Sequence, residues 1–187
     1  MRIIAGEAKG REIQAPKGSN TRPTLAKVKE AMFGMIQFDL LGASVLDLFA
    51  GSGALGIEAV SRGAKHAVFC DADRQAVAVI RANLKKLGFE NRASVFQGDS
   101  LSVLERLASE GAKFDIVLLD PPYETDLETS ALKLLDELSL LSPSAILLCE
   151  HSKENPPVFT EGYEVKKTKK YGDSYVTYAI HTGAEDI

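Results

Sequence analysis

The feature that most constrains this chain is a regular alternation of short apolar runs with amphipathic stretches from residue 44 onward. Four of the five apolar runs are almost continuously hydrophobic, which is typical of strands covered on both faces of a sheet. We predict strands at Ser44–Phe49, Ala67–Cys70, Ala93–Phe96, Phe114–Leu119 and Ala145–Cys149, with helices at 54–62, 73–87, 101–109 and 127–138. This alternation predicts an α/β, Rossmann-like fold with a doubly wound, mostly parallel sheet and right-handed crossovers.

The two ends of the chain depart from this alternation. Near the C-terminus, Glu164–Lys169 and Ser174–His181 predict an antiparallel hairpin. Near the N-terminus, Arg2–Ala5 and Arg11–Gln14 predict a smaller hairpin, and Thr24 is the expected N-cap of a helix that continues to Ile36. We therefore expect an N-terminal hairpin-plus-helix extension, 1–42, and a main domain, 43–187.

The first predicted strand leads into a glycine loop, in which Gly51, Gly53 and Gly56 have the spacing G-x-G-x-x-G. Glycine lets the backbone approach a ligand closely and turn sharply into a helix. Asp71 lies 20 residues after Gly51, at the end of the second predicted strand, where a carboxylate accepts hydrogen bonds from ribose hydroxyls. The loop therefore predicts either NAD or S-adenosylmethionine (SAM), whose enzymes share this layout.

Two further acids bear on the choice of cofactor. Asp47 stands four residues before Gly51, where a NAD site usually has an apolar residue. A carboxylate there suits a ligand with an ammonium group and a positive sulfonium better than one with a pyrophosphate, so SAM is favoured. Asp99 follows the third strand, where SAM enzymes bind the adenine amino group, but a helix cap for the stretch from Ser100 is equally consistent with it.

The most informative tetrapeptide, Asp120-Pro121-Pro122-Tyr123, ends the fourth strand. Prolines cannot continue a central strand, so the chain leaves the sheet at the carboxyl edge, where α/β folds bind ligands. The Asp120 carboxylate and the Pro121 carbonyl can accept both hydrogens of one –NH₂ group, while the Tyr123 ring stacks on the base that carries it. This arrangement frees the nitrogen lone pair for attack on a sulfonium methyl group, and the carboxylate stabilises the developing positive charge. We predict these four residues as the catalytic set.

Charge is unevenly distributed along the chain. The net charge is -4, yet residues 1–30 contain seven lysines and arginines against three glutamates, and the rest of the chain is correspondingly acidic. A second basic cluster comprises Lys166, Lys167, Lys169 and Lys170. A basic segment on an acidic body indicates a local polyanion-binding face, although solvated surface residues would give the same pattern.

Composition excludes several classes of protein. A 187-residue chain with 45% hydrophobic and 26% charged residues is typical of one globular domain rather than a disordered or fibrous chain. No apolar run reaches the roughly 20 residues of a membrane helix, and no signal-like stretch precedes Glu7, so we expect a cytoplasmic protein. Cys70 and Cys149 are expected to be buried thiols, and the three histidines lack a metal-ligand spacing, so no metal is predicted.

These motifs together resemble the RsmD family, the bacterial 16S rRNA (guanine(966)-N2)-methyltransferases. The similarity lies in Arg2–Gly6 with Lys9–Arg11, in Thr21–Thr24 with Lys29–Phe33, in Asp47–Gly56 and in Asp120–Tyr123. It extends from residue 1 to about residue 150 and is weaker in the tail. The segment Thr21–Thr24 is the family-specific part, because the glycine loop is generic to SAM enzymes and the tetrapeptide is shared with adenine-N6 enzymes. Asp71 is a departure, since the family often has glutamate there.

The resemblance implies a monomeric, metal-independent enzyme that methylates guanine N2 of 16S rRNA in the assembled or assembling 30S particle. The expected cofactor-binding residues are Asp47, Phe49, Ala50, Gly51, Ser52, Gly53, Asp71, Ala72, Asp99 and Ser100. The expected RNA-binding residues are Lys9, Arg11, Thr21, Arg22 and Thr24. Three alternatives stay open on the residues alone: adenine-N6 methylation of DNA or RNA, a NAD dehydrogenase, and a non-catalytic RNA-binding or ribosome-assembly module.

Overall fold

The computed structural model describes residues 1–16, 23–122 and 126–183, and within these ranges seven strands form one sheet. The strands are β1 (Ser44–Asp47), β2 (His66–Asp71), β3 (Ala93–Gln97), β4 (Phe114–Leu119), β5 (Leu141–His151), β6 (Tyr163–Tyr171) and β7 (Ser174–His181). The helices are α1 (Pro23–Met35), α2 (Ala54–Ser61), α3 (Arg74–Leu87), α4 (Ser100–Ser109) and α5 (Leu127–Glu137). Their order confirms the predicted alternation.

The sheet has the order β3-β2-β1-β4-β5-β7-β6. The first five strands are parallel, whereas β7 pairs antiparallel with β5 and β6 pairs antiparallel with β7. The doubly wound sheet and the C-terminal hairpin are therefore confirmed. Because β1 and β4 are central and the connections cross over on both sides, their carboxyl ends form the edge at which such folds bind ligands.

Alternate residues of the central strands pack into two hydrophobic clusters, one on each face of the sheet. Val45 and Leu118 face the cluster that contains α1, α2 and α3, whereas Leu46 and Leu119 face the cluster that contains α4 and α5. This two-sided burial explains why the strands are almost continuously apolar.

Several predicted element boundaries differ from the structure. β1 ends at Asp47 rather than Phe49, because the chain turns into the glycine loop there. β5 begins at Leu141 rather than Ala145, because Leu141 pairs with Phe114 ahead of a register shift. α1 begins at Pro23, so Thr24 is the second residue of the helix and not its N-cap; proline suits the first helical position, where no N–H group is needed.

The predicted N-terminal hairpin is reduced to a single bridge between Arg2 and Glu12. The Ile3 amide donates to the Arg11 carbonyl at 3.0 Å, which holds its two arms together. Ile3 and Ile13 are buried in the same cluster as Phe33 of α1 and Val45 of β1. The N-terminal region thus packs against one face of the sheet.

Within the described ranges, no helix is long and apolar enough to cross a membrane, and both cysteines are buried free thiols.

Candidate active site

The glycine loop, residues 48–53, connects β1 to α2 at the carboxyl edge of the sheet. Gly51 and Gly53 have φ values of 56° and 78°, in the left-handed region that favours glycine. A Cβ on Gly56 would lie 2.3 Å from a ring carbon of Phe69, so the third glycine lets α2 pack closely on β2. A Cβ on Gly51 would meet no atom of the described residues within 4 Å, so the loop is open at Gly51. The predicted contacts Phe49, Ala50 and Ser52 belong to this loop, and Ala50 and Ser52 are buried.

Asp71, the last residue of β2, lies against the glycine loop as predicted. Its Oδ2 atom accepts a hydrogen bond of 2.7 Å from the Gly51 amide, and its Oδ1 atom accepts one of 2.8 Å from the Asp73 amide. Ala72 beside it is exposed. Because each carboxylate oxygen has two lone pairs, Asp71 can position the loop and still accept a hydroxyl hydrogen of a ribose.

Asp47 lies beneath the loop and is 1% exposed. Its Oδ2 atom accepts a hydrogen bond of 2.9 Å from the Gly56 amide, whereas its Oδ1 atom is buried without a partner among the described residues. The pKa of Asp47 is raised to about 7, mainly by burial; the Gly56 hydrogen bond opposes the shift, and the negative charge of Asp71 adds to it. A cationic ligand beside this carboxylate would stabilise its charged form.

Asp120 follows the last residue of β4. Leu119 pairs with Cys149, so Asp120 stands next to Glu150 in the register of β4 and β5. Burial raises the pKa of Asp120 well above its usual range, and the charges of Glu150, Asp47 and Glu128 act in the same direction. Pro121 is half-buried and Pro122 is exposed. Tyr123 lies outside the described residues, so its stacking role stays a prediction.

Sequence reasoning missed two of these acids, Glu128 in the first turn of α5 and Glu150 in β5. Each is 4% exposed, and in each the Oε1 atom has no partner among the described residues. Burial raises the pKa of Glu128 to about 7 against a hydrogen bond from Cys149, and burial raises the pKa of Glu150 against a hydrogen bond from Ser174. The sequence pattern could have indicated Glu150, because this charged residue directly follows a predicted apolar strand. We call Asp47, Asp120, Glu128 and Glu150 the acidic edge.

The structure supports the helix-cap interpretation of Asp99. Its Oδ1 atom accepts hydrogen bonds of 3.1 Å from the amides of Leu101 and Ser102, at the start of α4. Ser100 is buried in the first turn. The predicted contact of Asp99 with an adenine amino group stays a prediction.

No group of three or more acidic, histidine or cysteine side chains in the described ranges is arranged to hold a metal ion.

The predicted RNA-binding residues have different environments. Lys9 is exposed in the turn of the N-terminal hairpin. Arg11, in contrast, donates through Nη2 to the Lys86 carbonyl at 2.6 Å and through Nη1 to the Leu87 carbonyl at 3.4 Å, so it ties the hairpin to the end of α3. Thr21 and Arg22 lie outside the described residues, and Thr24 is in the first turn of α1.

A further buried acid, Glu58 of α2, holds the N-terminal region on the sheet. Its Oε2 atom accepts from the Ile4 amide at 2.9 Å, and its Oε1 atom accepts from the Ala5 amide at 3.0 Å. Lys29 Nζ lies 3.1 Å from Oε2, and Arg62 Nε lies 2.8 Å from Oε1. We call Glu58 and these four partners the N-terminal anchor. Lys29, one of the two basic residues of the anchor, is thus a buried ion-pair partner and not part of a polyanion-binding surface.

Asn83 of α3 links the N-terminal region to the glycine loop. Its Oδ1 atom accepts from the Gln14 amide at 2.8 Å, and its Nδ2 atom donates to the carbonyls of Gln14 and Ser52, at 2.9 and 3.0 Å. Asn83 is 1% exposed, and the sequence indicated only that a polar residue interrupts the apolar side of a helix. The N-terminal region therefore supports the loop through Asn83.

The fold is the Rossmann-like fold of SAM-dependent methyltransferases. The fold alone is shared with an O-methyltransferase from Bacillus cereus, solved in complex with SAH, at a TM-score of 0.67 and 13% identity over 87% of this chain and 83% of that one.

Relatives of much greater similarity define the family. The family model described as Conserved hypothetical protein 95 matches residues 1–180. The ribosomal RNA small subunit methyltransferase D of Haemophilus influenzae is 35% identical over 97% of this chain and 93% of its own length. The solved structure of yhhF from Escherichia coli is 30% identical, with a TM-score of 0.87 over 98% of this chain and 99% of that one. The chain belongs to this family, the RsmD family that its motifs resemble.

Proposed function

We propose that this protein transfers the methyl group of SAM to the exocyclic N2 of a guanine in bacterial 16S rRNA. The observation that carries the proposal is the position of Asp120, an acceptor at the carboxyl end of β4, beside an open glycine loop and within the acidic edge. The name of the Haemophilus influenzae relative supports a small-subunit rRNA substrate. The resemblance to the RsmD family supports guanine N2, and with it a monomer that acts on the 30S particle in the cytoplasm.

The residues present fit SAM. Asp47 has a buried oxygen below the loop with no partner among the described residues, which suits a ligand with positive charge. The open side of Gly51 admits a ligand close to the backbone, and the Asp71 carboxylate beside it has lone pairs to offer to ribose hydroxyls. Phe49, Ala50, Ser52 and Gly53 complete the loop, while Ala72, Asp99 and Ser100 line the ends of β2 and β3 at the same edge.

When bound, SAM supplies an electrophilic methyl carbon on a positively charged sulfur. Asp120 and the Pro121 carbonyl accept the two N2 hydrogens, which makes the N2 lone pair available to form the new N–C bond as the S–C bond breaks toward sulfur. Asp120 stabilises the positive charge that develops on N2. The N2 proton then passes to Asp120 or to water. Raised proton affinity, which follows from the burial and the acidic neighbours of Asp120, suits this role.

Methylation of unmodified 30S subunits with labelled SAM tests the proposal. Mass spectrometry of the digested rRNA should reveal N2-methylguanosine in wild-type reactions. Asp120→Ala should lower the single-turnover rate by at least the ~2.7–4 kcal/mol typical of one transition-state contact, while SAM affinity stays close to that of the wild type.

The matched control is Asp126→Ala, which removes an exposed acid six residues along the chain whose side chain makes no cap hydrogen bond to the described residues of α5. It should retain wild-type rates. N6-methyladenosine as the product would replace the guanine assignment with adenine. A wild-type rate for Asp120→Ala would remove Asp120 from the catalytic set, and NAD binding tighter than SAM binding would contradict methyl transfer altogether.

A further inference from the structure

The outer strand β6 carries a row of exposed lysines. Residues 164–170 are all exposed, and four of these seven residues are lysines. β6 runs parallel to β5, because both strands pair antiparallel with β7. The C-terminal half of β6 therefore points to the same edge of the sheet as the carboxyl ends of β4 and β5.

The register connects this lysine row to the acidic edge. Lys169 pairs with Val176, and Val176 pairs with Glu150. Asp120 stands next to Glu150 on the other side, because Leu119 pairs with Cys149. Neighbouring strands are about 4.8 Å apart, so three steps place Lys169 roughly 15 Å from Asp120.

The lysines of β6 divide between the two faces of the sheet. Paired residues share a face, so Lys169 lies on the face of Glu150, and Lys167, two residues earlier, lies on that face beside Tyr178. Lys170 faces the other way, with its Nζ atom 5.9 Å from the centre of the Tyr175 ring. Lys166, at the register shift, forms an ion pair with Glu164. Lys167 and Lys169 are thus the two cations that the strand directs to the active-site face.

Lys167 and Lys169 are neighbours on this face, because alternate residues of a strand point the same way. The nearby Lys169, a second cation that can only donate hydrogen bonds, lowers the pKa of Lys167. Two adjacent cations repel each other, and an anion placed between them removes the repulsion. Phosphate oxygens are suitable partners, because a lysine binds a phosphate as a compact positive charge.

We propose that Lys167 and Lys169 bind the phosphate backbone of the single-stranded RNA that flanks the target nucleotide. This inference rests on the proposed rRNA substrate. A base that is flipped toward Asp120 leaves its neighbouring nucleotides at the rim of the site, and the roughly 15 Å to Lys169 is within reach of a short extended strand. Addition of a protein strand to the free edge of β6 is disfavoured, because lysines on an edge strand oppose such pairing.

The test is binding of a fluorescent oligouridylate, which carries phosphates but no target guanine, over a range of salt concentrations. Lys167→Ala with Lys169→Ala should raise the dissociation constant several-fold and flatten the salt slope by about 1.4, the value for two phosphate contacts on a single strand. The matched control is Lys65→Ala with Lys113→Ala, which removes the same charge from exposed positions at the amino ends of β2 and β4. This control should keep the wild-type slope.

Methylation of 30S subunits provides a second readout. The Lys167/Lys169 variant should raise KM with kcat unchanged, because neither lysine touches the reacting atoms. Equal affinities and equal salt slopes in the variant and the control would overturn the proposal, and so would unchanged binding after Lys167→Glu with Lys169→Glu. If the lysine variant loses oligouridylate binding but the wild type methylates no rRNA, the lysine row stands as an RNA-binding surface and only the proposed reaction fails.

Discussion

The N-terminal anchor and the acidic edge both contain buried carboxylates, but these carboxylates differ in how many hydrogen-bond and ion-pair partners they have. Glu58 is fully buried, and its two oxygens have four partners, two amides and two cationic side chains. In the acidic edge, Asp47, Glu128 and Glu150 each bury an oxygen without a partner among the described residues. The pKa values of these three acids are raised by burial.

The difference separates a structural acid from functional ones. Burying a charge is costly unless ion pairs and hydrogen bonds compensate for the lost water, and the anchor provides both. Among the described residues, the buried oxygens of the acidic edge lack such ion pairs and hydrogen bonds, so these acids lower the stability of the fold. Active sites often retain a loss of stability of this kind because their function needs it. Burial alone therefore does not identify a functional carboxylate; the number of partners around it does.

The largest expected effect is a stability difference between the same substitution in the two regions. Glu58→Gln removes the charge that compensates Lys29 and Arg62, so the free energy of unfolding should fall by about 3–5 kcal/mol. Glu128→Gln, at a similarly buried glutamate, removes an uncompensated charge and should leave stability almost unchanged or raise it. Urea denaturation measures both. Equal losses in the two variants would contradict the comparison.

The next expected effect concerns pH. Asp47 ionises more readily in the unfolded chain than in the folded protein, because burial raises its folded pKa from 3.8 to about 7. Wild-type stability should therefore decline relative to Asp47→Asn as pH rises from 4 to 8, by roughly 4 kcal/mol in total. Denaturation at several pH values checks the sign, and a difference independent of pH would show that Asp47 is not held neutral. Calorimetry should also find weaker SAM binding by the variant.

The smallest expected effect is at Arg11. Arg11→Ala loses two hydrogen bonds to carbonyls at the end of α3, where a positive charge also suits the helix dipole, so stability should fall by about 1 kcal/mol. Lys9→Ala, at an exposed lysine of the same hairpin, is the control and should leave thermal stability unchanged. If RNA affinity falls in the Lys9 variant while stability falls only in the Arg11 variant, Lys9 has the predicted role in RNA binding and Arg11 a separate role in stability.

Local pattern was sufficient for the architecture and for part of the site. Apolar runs set the five parallel strands, and the turn residues Gly172 and Asp173 set the C-terminal hairpin, because both signals depend on neighbours in the chain. Asp47, Asp71 and Asp120 were predictable for the same reason: each ends a strand, and the carboxyl ends of parallel strands meet at one edge. The end of β1 and the start of β5 were not predictable, because pairing with neighbouring strands decides them.

Only the tertiary structure decided which charged residues are partners. Lys29 and Arg11 belong to a basic segment of the sequence, yet one is buried against Glu58 and the other holds the end of α3, across 29 and 75 residues of chain respectively. Glu150 and Lys169 are distant in sequence from Asp120, and only strand pairing brings them into one row. Sequence determined which residues could carry charge at the edge of the sheet. Packing determined which charges are compensated, because compensation depends on distances that the order of residues does not contain.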